Sequence, residues 1–194
     1  MGNPIRYSCP GTIYHIVPTS NNKENIFPDS QCRRYYLQKL KIYAKKLYFA
    51  IYCYCIMNTH PHLLIEQLGD ISISKIMHIL NTSYAMYFNK RFVRKGRLFC
   101  CKYKAKLVDT DAYLLEVSRY IHNNPVKAGI VNRPEEYVWS SYRYYLDMVK
   151  VDFVNKRKIL DILEPVKEKQ VEGYKNFVVS DPNLLMLTSH LDRG

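Results

Sequence analysis

Hydrophobic positions change their period along the chain in a regular order. Thr12 to Val17 is short, β-branched and aromatic, which suits a strand. Gly11 breaks the chain before it, and Pro18 followed by the polar run Thr19 to Asn22 ends it. Asp29 and Ser30 are good helix caps. Beyond them Tyr36, Leu37, Leu40, Tyr43, Ala44 and Leu47 recur at three- and four-residue steps, giving one apolar helix face with Arg33, Arg34, Lys41, Lys45 and Lys46 mostly elsewhere. Phe49 to Met57 and Leu63-Leu64-Ile65 are apolar runs separated by Asn58-Thr59, the pattern of two antiparallel strands.

A second helix is expected from Ser72 to Phe92, with Ile73, Ile76, Met77, Leu80, Tyr84, Tyr87 and Phe88 on its core side. Tyr103 to Val108 suits another strand. A third helix starts near Thr110 or Asp111 and runs to Asn124, where Pro125 disfavours helical geometry and predicts an end or a kink. Pro125 to Ala128 then fits a short further helix closed by Gly129. From Asp147 onward the pattern gives one or two helices, such as Lys156 to Lys169, and a polar tail. Strand, helix, strand, strand, helix, strand, helix predicts an α+β fold, with helices packed on a small antiparallel sheet.

A chain of 194 residues with 47% hydrophobic and 24% charged content is enough for one ordinary globular domain plus a small appendage. Met1 to Tyr14 has no basic stretch followed by an apolar core, and no window approaches a bilayer span, so a cytoplasmic protein without membrane contact is expected. The six cysteines form no C-x-x-C and match no zinc or disulfide framework; Cys53 and Cys55 are expected as buried thiols.

Charge changes the picture more. Lys and Arg number 29 against 17 Asp and Glu, a net +12, which favours a polyanionic partner. The excess clusters: Lys90, Arg91, Arg94, Lys95, Arg97, Lys102, Lys104 and Lys106 fall in one segment without an acidic residue. Phe92, Phe99 and Tyr103 interleave with them. Cations neutralise phosphates and aromatic faces stack on unpaired bases, so the mixture suits single-stranded nucleic acid. The alternative is a solvated loop whose aromatics are core anchors.

The candidate chemistry starts at His60-Pro61-His62. Side chains two apart on a strand share a face, and two neutral imidazoles make half of a divalent-metal site. His-x-His at a strand end is also common without any metal. On the third helix Glu116, Tyr120 and Asn124 are four apart and share a face. Glu116 suits a surface ion pair. His15, His78, His122 and His190 are expected to be structural or surface residues.

H-P-H after an apolar strand, F-N-K-R…G-R-L-F-C-C-K-Y-K, Y-L-L-E-V-S-R-Y-I-H-N-N-P-V-K-A-G and W-S-S-Y occur in that order. This resembles the single-tyrosine transposases of the HUH nuclease superfamily, in particular the REP-associated tyrosine transposases, over roughly residues 5 to 146. The resemblance implies a ferredoxin-like sheet and a metal-assisted nuclease for single-stranded DNA. It places the transposase domain at 1–146 and leaves 147–194 as a helical extension. His60 and His62 fall on the histidine pair, Tyr120 on the nucleophile, and Asn124 where a polar side chain completes a Mg²⁺ or Mn²⁺ site. Asn124 before Pro125 equally suits a helix end.

The implied product is DNA joined to Tyr120 through a 5′-phosphate, with a free 3′-hydroxyl. The implied partner is single-stranded DNA bearing a hairpin. A homodimer in which one chain lends its tyrosine helix to the other is compatible with the sequence. Two departures stand out: Pro61 replaces the usual bulky hydrophobic residue between the histidines, and Pro18-Thr19-Ser20 stands where relatives often have Arg-Gly. A protein of this fold that only binds nucleic acid is the alternative function. A small-substrate metal hydrolase would leave the basic cluster unexplained.

Overall fold

The computed structural model describes residues 9–99 and 103–180; Lys102 of the basic cluster, Cys100, Cys101 and His190 lie outside the described residues. Strands β1 (Ile13–Val17), β2 (Phe49–Ile56), β3 (Pro61–Gln67) and β4 (Lys104–Val108) form one sheet in the order β2-β3-β1-β4. Every neighbouring pair is antiparallel. Helix α1 (Ser30–Lys46) joins β1 to β2 and α2 (Ile73–Arg91) joins β3 to β4, which is the ferredoxin-like βαββαβ arrangement. Helices α3 (Asp111–Lys127), α4 (Tyr142–Tyr145), α5 (Arg157–Leu163) and α6 (Gln170–Val179) follow. Among the described residues no helix is long and apolar enough to cross a membrane.

Local chemistry explains the boundaries. Asp29 caps α1 by accepting from the Cys32 N–H (2.9 Å), Ser72 caps α2 through Lys75, and Thr110 caps α3 through Tyr113. The break expected at Asn124 does not occur: α3 runs through Pro125 to Lys127 as one helix. A proline in the last turn removes one hydrogen bond, and tertiary contacts hold the turn. Ala128 N donates to Asn124 O, Asn123 Nδ2 donates to Val178 O (2.7 Å), and Gly129 closes the helix at φ +67°.

Pro61 also finds a position that suits it. Met57 N donates to His60 O (3.0 Å), so the next pair along the hairpin, Ile56 with Pro61, is non-hydrogen-bonded. The proline nitrogen therefore faces away from β2, and the registered pairs between β1 and β3 end at Ile16 with Leu63. As the first residue of β3 it forfeits no bond to β2. The outward backbone groups of Ile56 are taken by Trp139 O (3.0 Å, from Ile56 N) and by the Tyr137 hydroxyl (2.7 Å, to Ile56 O).

Alternation assigns the faces. His15 pairs with Leu64 on one side and Lys106 on the other, so His15, His62, Leu64, Lys104 and Lys106 share a face. Ile16, Leu63 and Ile65, all fully buried, share the opposite face. Right-handed crossovers put α1 and α2 together on that opposite face, where they pack on one another through residues such as Tyr36 and Tyr84. Cys53 and Cys55 are buried free thiols, and burial pushes the Cys53 thiol up to about 12.

The C-terminal helices lock α3 from behind. Inside the chain His122 is fully buried, with Nδ1 2.8 Å from the Tyr174 hydroxyl of α6 and Nε2 2.8 Å from Ser141 Oγ. Ser141 also accepts from Tyr54 N (2.9 Å), which ties the W-S-S-Y segment to β2. The Arg119 guanidinium lies 4.8 Å from the Phe177 ring centroid. Glu116 does form the expected ion pair, with Arg119, but the arginine is buried rather than at the surface.

Candidate active site

Strand register, a tight hairpin and one helix converge on the histidine face of the sheet. His60 ends the two-residue turn after β2, and His62 is the second residue of β3. Their Nε2 atoms are 3.0 Å apart, with ring centroids at 4.8 Å. His15, from the middle of β1, places Nε2 3.1 Å from His62 Nδ1 and stacks on that ring at 5.3 Å. The Tyr120 ring stands edge-on to both, 5.6 Å from His62 and 5.8 Å from His15. Lys127, two turns further along α3, brings Nζ to 5.2 Å from the Tyr120 ring centroid.

Burial is the dominant influence on His62. It holds the imidazole well below its ordinary pKa, and the neighbouring His15, His60 and Lys127 act in the same sense. The ring is therefore neutral near pH 7 and has one lone pair to give. His60 Nδ1 lies 2.8 Å from Thr59 Oγ1, a partner of the kind that orients a metal-bound histidine.

Two ligand nitrogens at about 2.1 Å from an octahedral cation, in adjacent positions, lie about 3.0 Å apart, and the His60–His62 pair has that separation. The pair thus fits a divalent ion. Among the described residues no group of three His, Cys, Asp or Glu is arranged to hold a metal, so an ion at the pair would need other donors as well. Asn124 lies one turn beyond Tyr120 on α3, nearly buried, with Nδ2 donating to the Tyr120 carbonyl at 2.9 Å. Its amide oxygen is the end not engaged in that bond.

The basic cluster divides into parts with different surroundings. Arg91 is held by both oxygens of Asp29 (2.9 and 2.7 Å), and Arg94 by both oxygens of Glu24 (3.1 and 2.7 Å). These two arginines tie the end of α2 to the chain before α1. Lys90, Lys95 and Arg97 are exposed. Lys104 and Lys106 sit on the edge strand β4, on the face that carries the histidines and Tyr120. A cleft of ≈ 610 Å³ opens beside the segment, lined in part by His78, Asn81, Arg97, Phe99 and Tyr103. Tyr103 reaches across to Ser74 Oγ at 3.2 Å.

The structure also brings His15 and Lys127 to this place, two residues that the sequence did not single out as site candidates. The only signal for His15 was its place in a strand, which does not tell which neighbour it meets. Lys127 is seven residues beyond Tyr120, a spacing that shares a helix face, but the expected break at Asn124 hid it.

The model of the family described as "Transposase IS200 like" matches residues 8–124. No curated protein matches the chain. Among solved structures, the REP-associated tyrosine transposase bound to a REP hairpin superposes with a TM-score of 0.64 at 16% identity, covering 80% of this chain and 94% of that one. A Deinococcus radiodurans protein assigned as a transposase gives 0.45 at 17% identity, covering 63% and 97%.

Proposed function

The chain belongs to the IS200-like transposase family, and from that premise we propose that it nicks and rejoins hairpin-bearing single-stranded DNA with Tyr120 as nucleophile. The observation that carries the reading is the packing of the Tyr120 ring against His62, whose Nε2 lies 3.0 Å from that of His60. We take residues 1–146 as the catalytic unit and 147–194 as an extension, whose described part carries α5 and α6. The structurally similar REP-associated transposase is bound to a REP hairpin, which supports a hairpin partner here.

His60, His62 and Asn124 would hold a Mg²⁺ or Mn²⁺ ion, and nitrogen donors suit Mn²⁺ better. When bound, the ion polarises the scissile phosphate as a Lewis acid. The Tyr120 oxygen gives up its proton and bonds to phosphorus, the P–O3′ bond breaks, and the 3′-oxygen takes up a proton to become the 3′-hydroxyl. The 5′-phosphate stays on the tyrosine. A tyrosine phenol ordinarily titrates near 10 and needs a nearby cation or base to act as a nucleophile; Lys127 Nζ stands over the ring, 5.2 Å from its centroid. A 3′-hydroxyl can reverse the step on the same phosphorus, so cutting and rejoining use one set of residues without ATP.

Lys104 and Lys106, facing the same way as the histidines, are assigned to phosphates flanking the scissile one. Neutralising both as Lys104→Gln and Lys106→Gln is expected to reduce the slope of log K against log salt by about 1 to 1.5, since a single-strand phosphate contact contributes about 0.7. Lys95→Gln, earlier in the same basic cluster, is the single-charge comparison. An unchanged slope in the double variant would remove these two residues from the DNA path.

A second reading is binding without cleavage. One observation favours it: Tyr120 is only 1% exposed, so its oxygen needs room before DNA can reach it. Labelled hairpin oligonucleotides incubated with the protein and Mn²⁺ separate the two readings. A denaturant-resistant protein–DNA adduct is expected. Salt-sensitive binding with no adduct on any hairpin of a varied library would instead leave a nucleic-acid-binding protein of the same fold.

A further inference from the structure

We infer that His15 is a positioning residue: its Nε2 accepts the Nδ1–H of His62 and so holds His62 in the tautomer whose Nε2 lone pair faces His60. The inference rests on the metal-site reading above and deepens it by one residue. His62 has a nitrogen neighbour at each end of its ring, His15 Nε2 at 3.1 Å from Nδ1 and His60 Nε2 at 3.0 Å from Nε2. A neutral imidazole has one proton for these two contacts. With the proton on Nδ1, Nε2 is a lone pair pointing at the place the two histidines share. With the proton on Nε2, that end of the ring becomes a donor and cannot bind a cation. Whichever role His15 takes therefore sets whether His62 can act as a ligand.

The geometry favours acceptance by His15. His60 can accept from Thr59 Oγ1 at Nδ1 (2.8 Å) while giving its own Nε2–H to His62 Nε2. That arrangement runs the protons in one direction: Thr59 to His60, His60 to His62, His62 to His15. When a cation enters, His60 need only move its proton to Nδ1 and the Thr59 hydroxyl turn to accept it, with His62 unchanged. His15 is built into the position. It is 3% exposed, lies on the same face of the sheet as His62, stacks on it with an interplanar angle of 12°, and is braced edge-on by the Tyr120 ring. A side chain that only filled space there would have no reason to present a nitrogen to Nδ1.

Nitrogen NMR on the metal-free wild-type protein gives the first test. His62 is expected to show a protonated Nδ1 and an unprotonated Nε2; the reverse assignment would overturn the inference. The second test is Mn²⁺ affinity measured by EPR, without DNA. His15→Leu keeps volume but no acceptor, and a loss of about 10- to 100-fold is expected. His15→Gln, whose amide oxygen can accept, should recover most of it. A leucine variant that folds and binds Mn²⁺ like wild type would overturn the inference, as would a glutamine variant no better than leucine. Should wild type itself bind no Mn²⁺, the metal reading would fall, while the NMR assignment would still decide the role of His15.

Discussion

Tyr120→Phe is expected to abolish the covalent adduct and to lower strand cleavage by at least about 10³-fold, while leaving DNA affinity within about twofold of wild type. The substitution removes one oxygen and nothing else. The ring that packs against His15 and His62 remains, so the fold and the imidazole pair should persist. What disappears is the atom that forms the bond to phosphorus, and a contribution made only in the transition state appears in rate rather than in binding. Denaturing gel electrophoresis for the adduct and filter binding for affinity measure the two quantities separately. The chain has 18 tyrosines, so an adduct that survives in the variant would assign the nucleophile to another phenol. Tyr36, Tyr84, Tyr142, Tyr145 and Tyr174 are as buried as Tyr120 but pack on other rings, such as Tyr36 on Tyr84 and Tyr145 on Tyr174, where Tyr120 packs on His62.

The second large effect is on stability in acid. Burial lowers the His122 pKa from 6.5 to about 3. Above pH 6.5 the imidazole is neutral in both folded and unfolded chains and contributes no pH dependence. Below it the unfolded chain takes up a proton that the folded chain refuses, so stability falls as pH falls, until the folded state also protonates near pH 3. One proton corresponds to about 1.4 kcal/mol per pH unit, so about 2 kcal/mol should be gone at pH 5 relative to pH 7. Against a typical stability of about 5–15 kcal/mol that is a large share. His62 acts in the same sense, so the test compares wild type with His122→Asn in urea melts at both pH values. The variant should lose about 2 kcal/mol less on acidification. Equal losses in the two proteins would assign the acid sensitivity elsewhere.

Much of the scaffold was legible because it is written in local periodicity. The helix faces of α1 and α2, the hairpin at Asn58-Thr59, the caps Asp29 and Thr110, the start of α2 at Ser72 and the closing Gly129 all follow from residues within a few positions of one another. His60 and His62 were legible for the same reason. Tyr120 was not distinguishable from the other tyrosines by pattern, and only the family resemblance singled it out.

The rest was hidden by sequence distance. His15 meets His62 across 47 residues, and Arg91 and Arg94 meet Asp29 and Glu24 across 62 and 70. A run of basic residues looks uniform until pairing divides it. Two arginines become structural ties, while strand alternation turns Lys104 and Lys106 towards the face that carries His15 and His62. The continuation of α3 through Pro125 has the same origin. A local preference to stop was outweighed by the contact from Asn123 to α6.

The proline between the two histidines has one more consequence. A pyrrolidine ring fixes φ near −65° at that residue, so the backbone linking the imidazoles has lost part of its freedom before any ion arrives. Gathering two side chains round a cation normally requires that freedom to be surrendered on binding. Here much of that ordering entropy is already spent in the folded chain, so at the proposed metal site ion capture would be governed by desolvation and donor strength more than by conformational search.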